Sequence, residues 1–170
     1  MCGIVGLFIK DPSLRSSLGS LLTEMLVTMT ERGPDSSGVA IYSNGNDKFK
    51  KITLRSNSPE SDFKDLVKRI NQKLDTTVKL DLNDTHAVLI VPSGDMHNVL
   101  ILLKTIAPSF SIMSLGNSIE IYKETGLPAE VANRFSLRTK EGTHGIGHTR
   151  MATESAVNTM GAHPYSTGLD

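Results

Sequence analysis

The sequence has no tryptophan, one cysteine, few aromatics (5%) and no surplus of either charge, Lys plus Arg and Asp plus Glu standing at 18 each. Each shortage excludes something. A single cysteine forms no internal disulfide, which sets aside the stapled scaffolds of small secreted proteins. Balanced charge leaves no footprint for nucleic acid, and the basic residues between Lys48 and Lys79 alternate with acids and apolar residues as a solvated face does. The longest apolar run, Val99 to Leu103, falls far short of the ~20 residues that span a bilayer. Position 2 is Cys, not the Gly that myristoylation requires, and no basic and apolar leader precedes the first strand. The expectation is a cytoplasmic protein without membrane or nucleic-acid partners. No phosphate-cradling Gly loop and no Cys cluster for zinc or iron–sulfur is present, so neither a metal nor a cofactor of its own is expected.

What is present suits one domain with a hydrophobic core at 170 residues. "CGIVGLFI" reads as a buried strand. The next segment, 11–33, reads as a helix: Asp11 caps it, Pro12 suits the first helical position, and Gly33 ends it. Asn44-Gly45 between apolar runs predicts a hairpin whose second arm begins polar. Beyond it the pattern runs helix, strand, strand, helix, strand, strand, predicting an inserted small α+β module over about 56–135, similar to a ferredoxin-like unit. "TGLPAEVANRF" reads as a connector with a short helix. The remainder, dense in Gly, His and Thr, reads as a loop-rich stretch of the kind that carries sites.

The only cysteine stands directly behind Met1. Removal of Met1, which a small second residue permits, would leave Cys2 with a free α-amine. Such an amine ordinarily titrates at ~7.7–8.0, close to the ~8.5 of a thiol, so a single residue can carry both a nucleophile and its base. Gly3 leaves room beside the reacting carbon. Taken on position alone, a small buried strand residue is the better explanation of Cys2, and the accompanying motifs turn that preference round.

Three further motifs accompany it. "RGPDSSG" (32–38) sets Arg32 and Asp35 in a Gly/Pro turn. "GHTRMAT" (147–153) offers Arg150, whose planar fork matches a carboxylate, with the hydroxyls of Thr149 and Thr153, while His148 reads as a core histidine. "GAHPY" (161–165) contributes His163.

Together and in this order, "MCGIVG", "RGPDSSG", "GHTRMAT" and "GAHPY" resemble the class-II glutamine amidotransferases, over essentially the whole chain. "MCGIVGLF" and "GTHGIGHTRMATESAVNTMGAHPYSTG" are similar in particular to the stand-alone amidotransferase subunits of glutamate-synthase-like systems, the relatives of N-methylglutamate synthase. The resemblance implies an α+β fold, the N-terminal-nucleophile hydrolase four-layer αββα sandwich, within a single domain over 1–170. It implies an enzyme that hydrolyses L-glutamine to L-glutamate and ammonia through a Cys2 thioester, passing the ammonia to a partner synthase. Carried over by position, Cys2 is the nucleophile, Arg150 and Thr153 bind substrate, and Gly3, Arg32 and His163 support the site.

Two departures qualify the resemblance. The family's oxyanion-hole Asn-Gly pair follows the His-Pro motif, and this chain stops at Asp170 before reaching it; Asn44-Gly45 lies in the expected hairpin and is no substitute. The domain is thus expected to be C-terminally incomplete, the first half of the sandwich, and feeble on its own, since one lost oxyanion donor costs ~10²–10³ in turnover. The 56–135 insertion is also longer than a minimal member needs. A catalytically degenerate, glutamine-sensing or regulatory subunit is the alternative, and an N-terminal-nucleophile hydrolase of another amide is a third reading.

Overall fold

The computed structural model describes residues 2–153 and 156–168, so the removal or retention of Met1 lies outside the described residues. Its elements fall into two compact units, one built from 1–44 and 121–165, the other from 45–120 with 166–170. The fold is α+β with two antiparallel four-stranded sheets.

The first unit carries a sheet of order β1-β8-β2-β7, with β1 at Gly3–Phe8, β2 at Ser36–Tyr42, β7 at Ile119–Thr125 and β8 at His144–Arg150. The helix expected over 11–33 forms as a 3₁₀ turn (Pro12–Ser17), helix α1 (Leu18–Thr28) and a second 3₁₀ turn (Thr30–Arg32). Asp11 caps it as expected, accepting from the Ser13 N–H at 2.9 Å. Leu18, Leu22 and Leu26 make its buried stripe.

Why α1 can lie so close to the sheet is written in β8. A Cβ on Gly145 would sit 2.8 Å from Leu22 Cδ2, and one on Gly147 2.8 Å from Val5 Cγ2 and 2.9 Å from Leu26 Cδ1. These two positions, on the face of β8 toward α1, have no space for a side chain. That also explains why the 142–168 stretch, expected to be loop-rich, contributes a central strand: its inward positions are glycines, which erase the apolar alternation that marks a strand.

The opposite face of this sheet is different. Ile4 is 75% exposed and Phe8 66%, and Ile146 between them is exposed too. "CGIVGLFI" is therefore a strand buried on one side only, a correction to the fully buried strand expected from its composition. Helix α5 (Pro128–Arg134) closes the unit, with Pro128 at its first turn and the Leu127 N–H donating to Glu130 Oε2 at 3.1 Å.

The second unit is a β-α-β-β-α-β chain: β3 (Phe49–Arg55), α3 (Leu66–Leu74), β4 (Lys79–Asn83), β5 (His86–Pro92), α4 (Met96–Ile106) and β6 (Ser111–Gly116), with the short α2 (Pro59–Asp62) before α3. Sheet order β4-β5-β3-β6 with antiparallel neighbours gives the split-βαβ connectivity of ferredoxin-like modules. Its bounds differ from the expected 56–135. β3 belongs to the module and makes no hairpin with β2, because Ser43–Lys48 separate the two strands, too many for a two-residue Asn-Gly turn. At the other end β7 runs into the first sheet and α5 lies in the first unit. The expected single helix over 58–74 is broken, with Asp65 in the left-handed region (φ 57°) at the start of α3. Ile52, Leu54, Leu66, Ile70, Leu89, Val91, Val99 and Leu103 form an aliphatic core of its own.

No described helix is long and apolar enough to cross a membrane.

Candidate functional site

β8 gathers the motifs. Its register pairs Gly3 of β1 with Thr149 on one side and Ser37 and Ser36 of β2 with Thr149 and Arg150 on the other. Cys2, immediately before Gly3, is exposed with a free thiol. Continuing the strand alternation turns its side chain to the face that carries Ile4, His148 and Arg150.

Gly3 is where packing leaves least room. A Cβ there would lie 2.8 Å from Thr149 Oγ1, 3.0 Å from Met29 Cβ and 3.3 Å from Arg32 Cβ. The absence of a side chain at position 3 lets the end of α1, the Arg32 turn and β8 converge on the residue next to the thiol. Thr149 is spoken for: buried, it donates to the Met29 carbonyl at 3.2 Å, so it fastens β8 to the end of α1 rather than presenting a hydroxyl to a ligand.

The turn before β2 holds the other side. Gly33 would place a Cβ 2.5 Å from Arg150 N and from Thr149 C, and Pro34 makes a parallel bridge to Arg150. The Asp35 N–H donates to the Arg150 carbonyl at 3.1 Å, and its carboxylate accepts from the Ala152 N–H at 2.7 Å. Asp35 thus fixes the chain on both sides of Met151. Thr153 follows in a bend, exposed, past the end of the strand.

Arg150 is 9% exposed. Its guanidinium is approached by Gly161, where a Cβ would fall 3.3 Å from Nη1 and 3.5 Å from Cζ. The segment containing Gly161 therefore lies against Arg150, held in its own tight turn by the Gly161 N–H to Asn158 Oδ1 (2.7 Å) and the Ala162 N–H to the Thr159 carbonyl (3.1 Å). The Thr159 hydroxyl is hydrogen-bonded to the Glu124 carboxylate on β7.

His148 and His163 meet here, ring centroids 4.5 Å apart, and Tyr165 stands edge-on to His163 at 4.7 Å. Both histidines are held below their ordinary pKa. For His148 burial is the main cause, followed by repulsion from His163 and Arg150; for His163 it is burial, then Lys123, then Arg150. Both are therefore neutral at pH 7, and the buried Nδ1 of each has no partner among the described residues. His148 is more than the core histidine it looked like in sequence, since it forms one side of this pair.

Two residues here carried no sequence signal. Ser36 is fully buried with an unpartnered hydroxyl on the Arg150 face, inside a motif where only the charged residues drew notice. Lys123 is 2% exposed on β7. In "IEIYKET" the strand alternation sets it on the face of Ile119 and Ile121, the apolar side, but its charge alone argues against burial. Among the described residues no group of His, Cys, Asp or Glu is arranged to hold a metal ion.

The arrangement offers a thiol, a largely buried arginine fork and neutral imidazoles at one end of one sheet. Comparison with known proteins gives the same direction. The chain is 51% identical over its full 170 residues to the glutamine amidotransferase-like protein GlxB of Rhizobium meliloti (strain 1021), covering 56% of that protein. It is 30% identical to a putative glutamine amidotransferase of Methanothermobacter thermautotrophicus, over 98% of the chain and 57% of the relative. A 60-residue stretch is 37% identical to the isomerizing glutamine–fructose-6-phosphate aminotransferase of Methanosarcina mazei. No family model matches the chain. The chain thus spans little more than half the length of these first two relatives, and its homologues are named for glutamine amidotransfer.

Proposed function

We propose that this chain is the nucleophile-bearing part of a class-II glutamine amidotransferase, an N-terminal-nucleophile hydrolase that releases ammonia from L-glutamine for a partner synthase. The observation that carries the reading is the pairing of both β1 and β2 with β8, which brings residue 2, the Arg32 turn and Arg150 to one sheet end from distant parts of the sequence.

In this mechanism the α-amine freed by loss of Met1 takes the Cys2 thiol proton, directly or through a water. The thiolate attacks the side-chain amide carbon of glutamine, and the tetrahedral intermediate collapses with loss of ammonia, which takes up the proton. Water then cleaves the thioester, giving glutamate and restoring the thiol. Arg150 pairs with the substrate α-carboxylate and Thr153 adds a hydroxyl beside it, while Gly3 and Arg32 keep the space around the thiol and His163 shapes the wall. Neutral histidines suit that division: Arg150 is then the cation that selects the carboxylate. The open apolar face at Ile4, Phe8 and Ile146 supports the sandwich reading, since a second sheet layer would cover it.

The test is intact-mass analysis of the full-length natural protein before and after a diazo-ketone analogue of glutamine. Loss of Met1 with one adduct on Cys2, prevented by excess glutamine, supports the reading. Saturable glutamine binding without an adduct would instead identify a sensing relative, and an adduct that glutamine does not prevent would point to another amide substrate.

A further inference from the structure

We propose that Lys123 is a positioning residue of this site, its ammonium clamping the Ala162–Tyr165 segment over the Arg150 face through the two carbonyls that flank His163. The proposal rests on the amidotransferase reading for its functional consequence, though its geometry stands apart from it. Lys123 Nζ donates to the Ala162 carbonyl at 2.8 Å and to the Pro164 carbonyl at 3.3 Å, and lies 4.0 Å from the Tyr165 ring centroid. A buried ammonium with no carboxylate partner among the described residues needs such acceptors, and two carbonyls with an aromatic face supply them. Gly38 of β2 makes the approach possible: a Cβ there would fall 2.4 Å from the His163 carbonyl and 2.5 Å from Lys123 Cβ, so the segment rests on backbone at this point.

The clamp determines more than shape. The same segment brings Gly161 against the Arg150 guanidinium and His163 against His148. The titratable and charged groups next to Lys123 are His163 and Tyr165 in the clamped segment and Glu124 beside it on β7, which is engaged by Thr159; His148 and Arg150 on β8 lie beyond His163 and interact with it electrostatically, and Gly38 is the β2 residue packed against Lys123 Cβ. Burial lowers the Lys123 pKa to about 8, leaving it mostly protonated at pH 7, and its charge is one of the causes that hold His163 neutral. Lys123 therefore fixes the wall of the site and suppresses a second cation beside Arg150.

The experiment compares wild type, Lys123→Met and Lys123→Arg in the full-length protein with three readouts. Amide hydrogen exchange over 159–165 should accelerate about 10-fold or more in K123M, the scale of a lost charged hydrogen bond. The His163 ring, followed by NMR, should titrate at higher pH in K123M and stay low in K123R, which keeps the charge; a purely structural lysine would not give that split. Labelling of Cys2 by the diazo-ketone should need about 10-fold more reagent in K123M at an unchanged limiting rate, while alkylation by iodoacetamide stays the same. Unchanged exchange and unchanged His163 titration in a folded K123M overturn the proposal. If K123M does not fold, Tyr165→Leu, which removes the ring beside the ammonium and the hydroxyl that donates to the Met160 carbonyl, is compared with Tyr165→Phe, which removes the hydroxyl alone; exchange over 159–165 should rise about threefold more in Y165L than in Y165F, and no difference overturns the proposal. A wild type inert to the diazo-ketone sinks the amidotransferase reading and leaves exchange and titration to decide the clamp.

Discussion

The two units solve the same problem, a four-stranded sheet that must bury one face, with different central strands. The 45–120 unit does it with aliphatic side chains on both partners, Ile52, Leu54, Leu89 and Val91 from the sheet against Leu66, Ile70, Val99 and Leu103 from the helices. The unit of 1–44 and 121–165 does it on its central strand β8 with glycines, and buries Ser36, Ser37, Lys123, Glu124, Thr149 and Arg150 as well. A module built the first way is tolerant, because side chains can repack; in the second, Gly145 and Gly147 press on side-chain ends, while Gly33 and Gly38 press on backbone, where a neighbour cannot give. The proposed site falls on the side of that line where backbone sets the spacing.

Breaking the comparison at its strongest point means removing the proposed nucleophile. Cys2→Ser should lower the rate of reaction with a glutamine-like electrophile by more than about 10³-fold while leaving both units folded, as measured by labelling kinetics beside circular dichroism. Next comes Arg150→Lys, which keeps the charge but loses the fork; the electrophile should bind about 10–100-fold more weakly with its limiting rate preserved, read from the concentration dependence of labelling.

Two substitutions sharpen the contrast in packing. Gly33→Ala puts a methyl 2.5 Å from backbone atoms of Thr149 and Arg150, and should cost about 3 kcal/mol or more in chemical denaturation. Ile52→Ala in the second unit should cost about 2–5 kcal/mol, seen as faster amide exchange within 45–120, with Cys2 labelling unchanged. Equal effects on labelling from both would erase the distinction between the units.

The smallest effect is pH-dependent. His148 and His163 have native pKa values below 6.5, so the unfolded chain binds more protons as the pH falls. Their contribution to stability is full above 6.5 and is lost as the pH drops from there through the lowered native values. Acidification from pH 7 to 5 should therefore destabilise the first unit by an amount that His163→Gln reduces, measured as the difference in urea midpoints.

The sequence made the second unit largely legible because its elements obey simple periods: the α4 stripe and the β5 run are plain apolar patterns, while its bounds and the break before α3 were not read. There the Asn44-Gly45 turn signal was outcompeted by the partners β3 has within its own sheet. The first unit was legible at its ends and opaque at its centre. Residue 2 is informative by position and Arg150 by chemistry, but β8 is invisible to periodicity because Gly145 and Gly147 stand where apolar residues would mark it. Lys123 was hidden for the converse reason, a charged residue whose burial is decided by a segment about 40 residues away in sequence.

The pairing of β1 with β8 makes the placement of the thiol a discrete quantity. Gly3 sits opposite Thr149 with no freedom for intermediate positions, since a strand moves past its neighbour in whole residues and each step turns every side chain over. Sliding β1 by one place would send Cys2 to the side where α1 is packed and bring Gly3 to the open side. Length at the front of this chain cannot be absorbed by small adjustments, so the first strand works as a ruler with single-residue divisions, its zero mark set by the crowded glycine beside the cysteine.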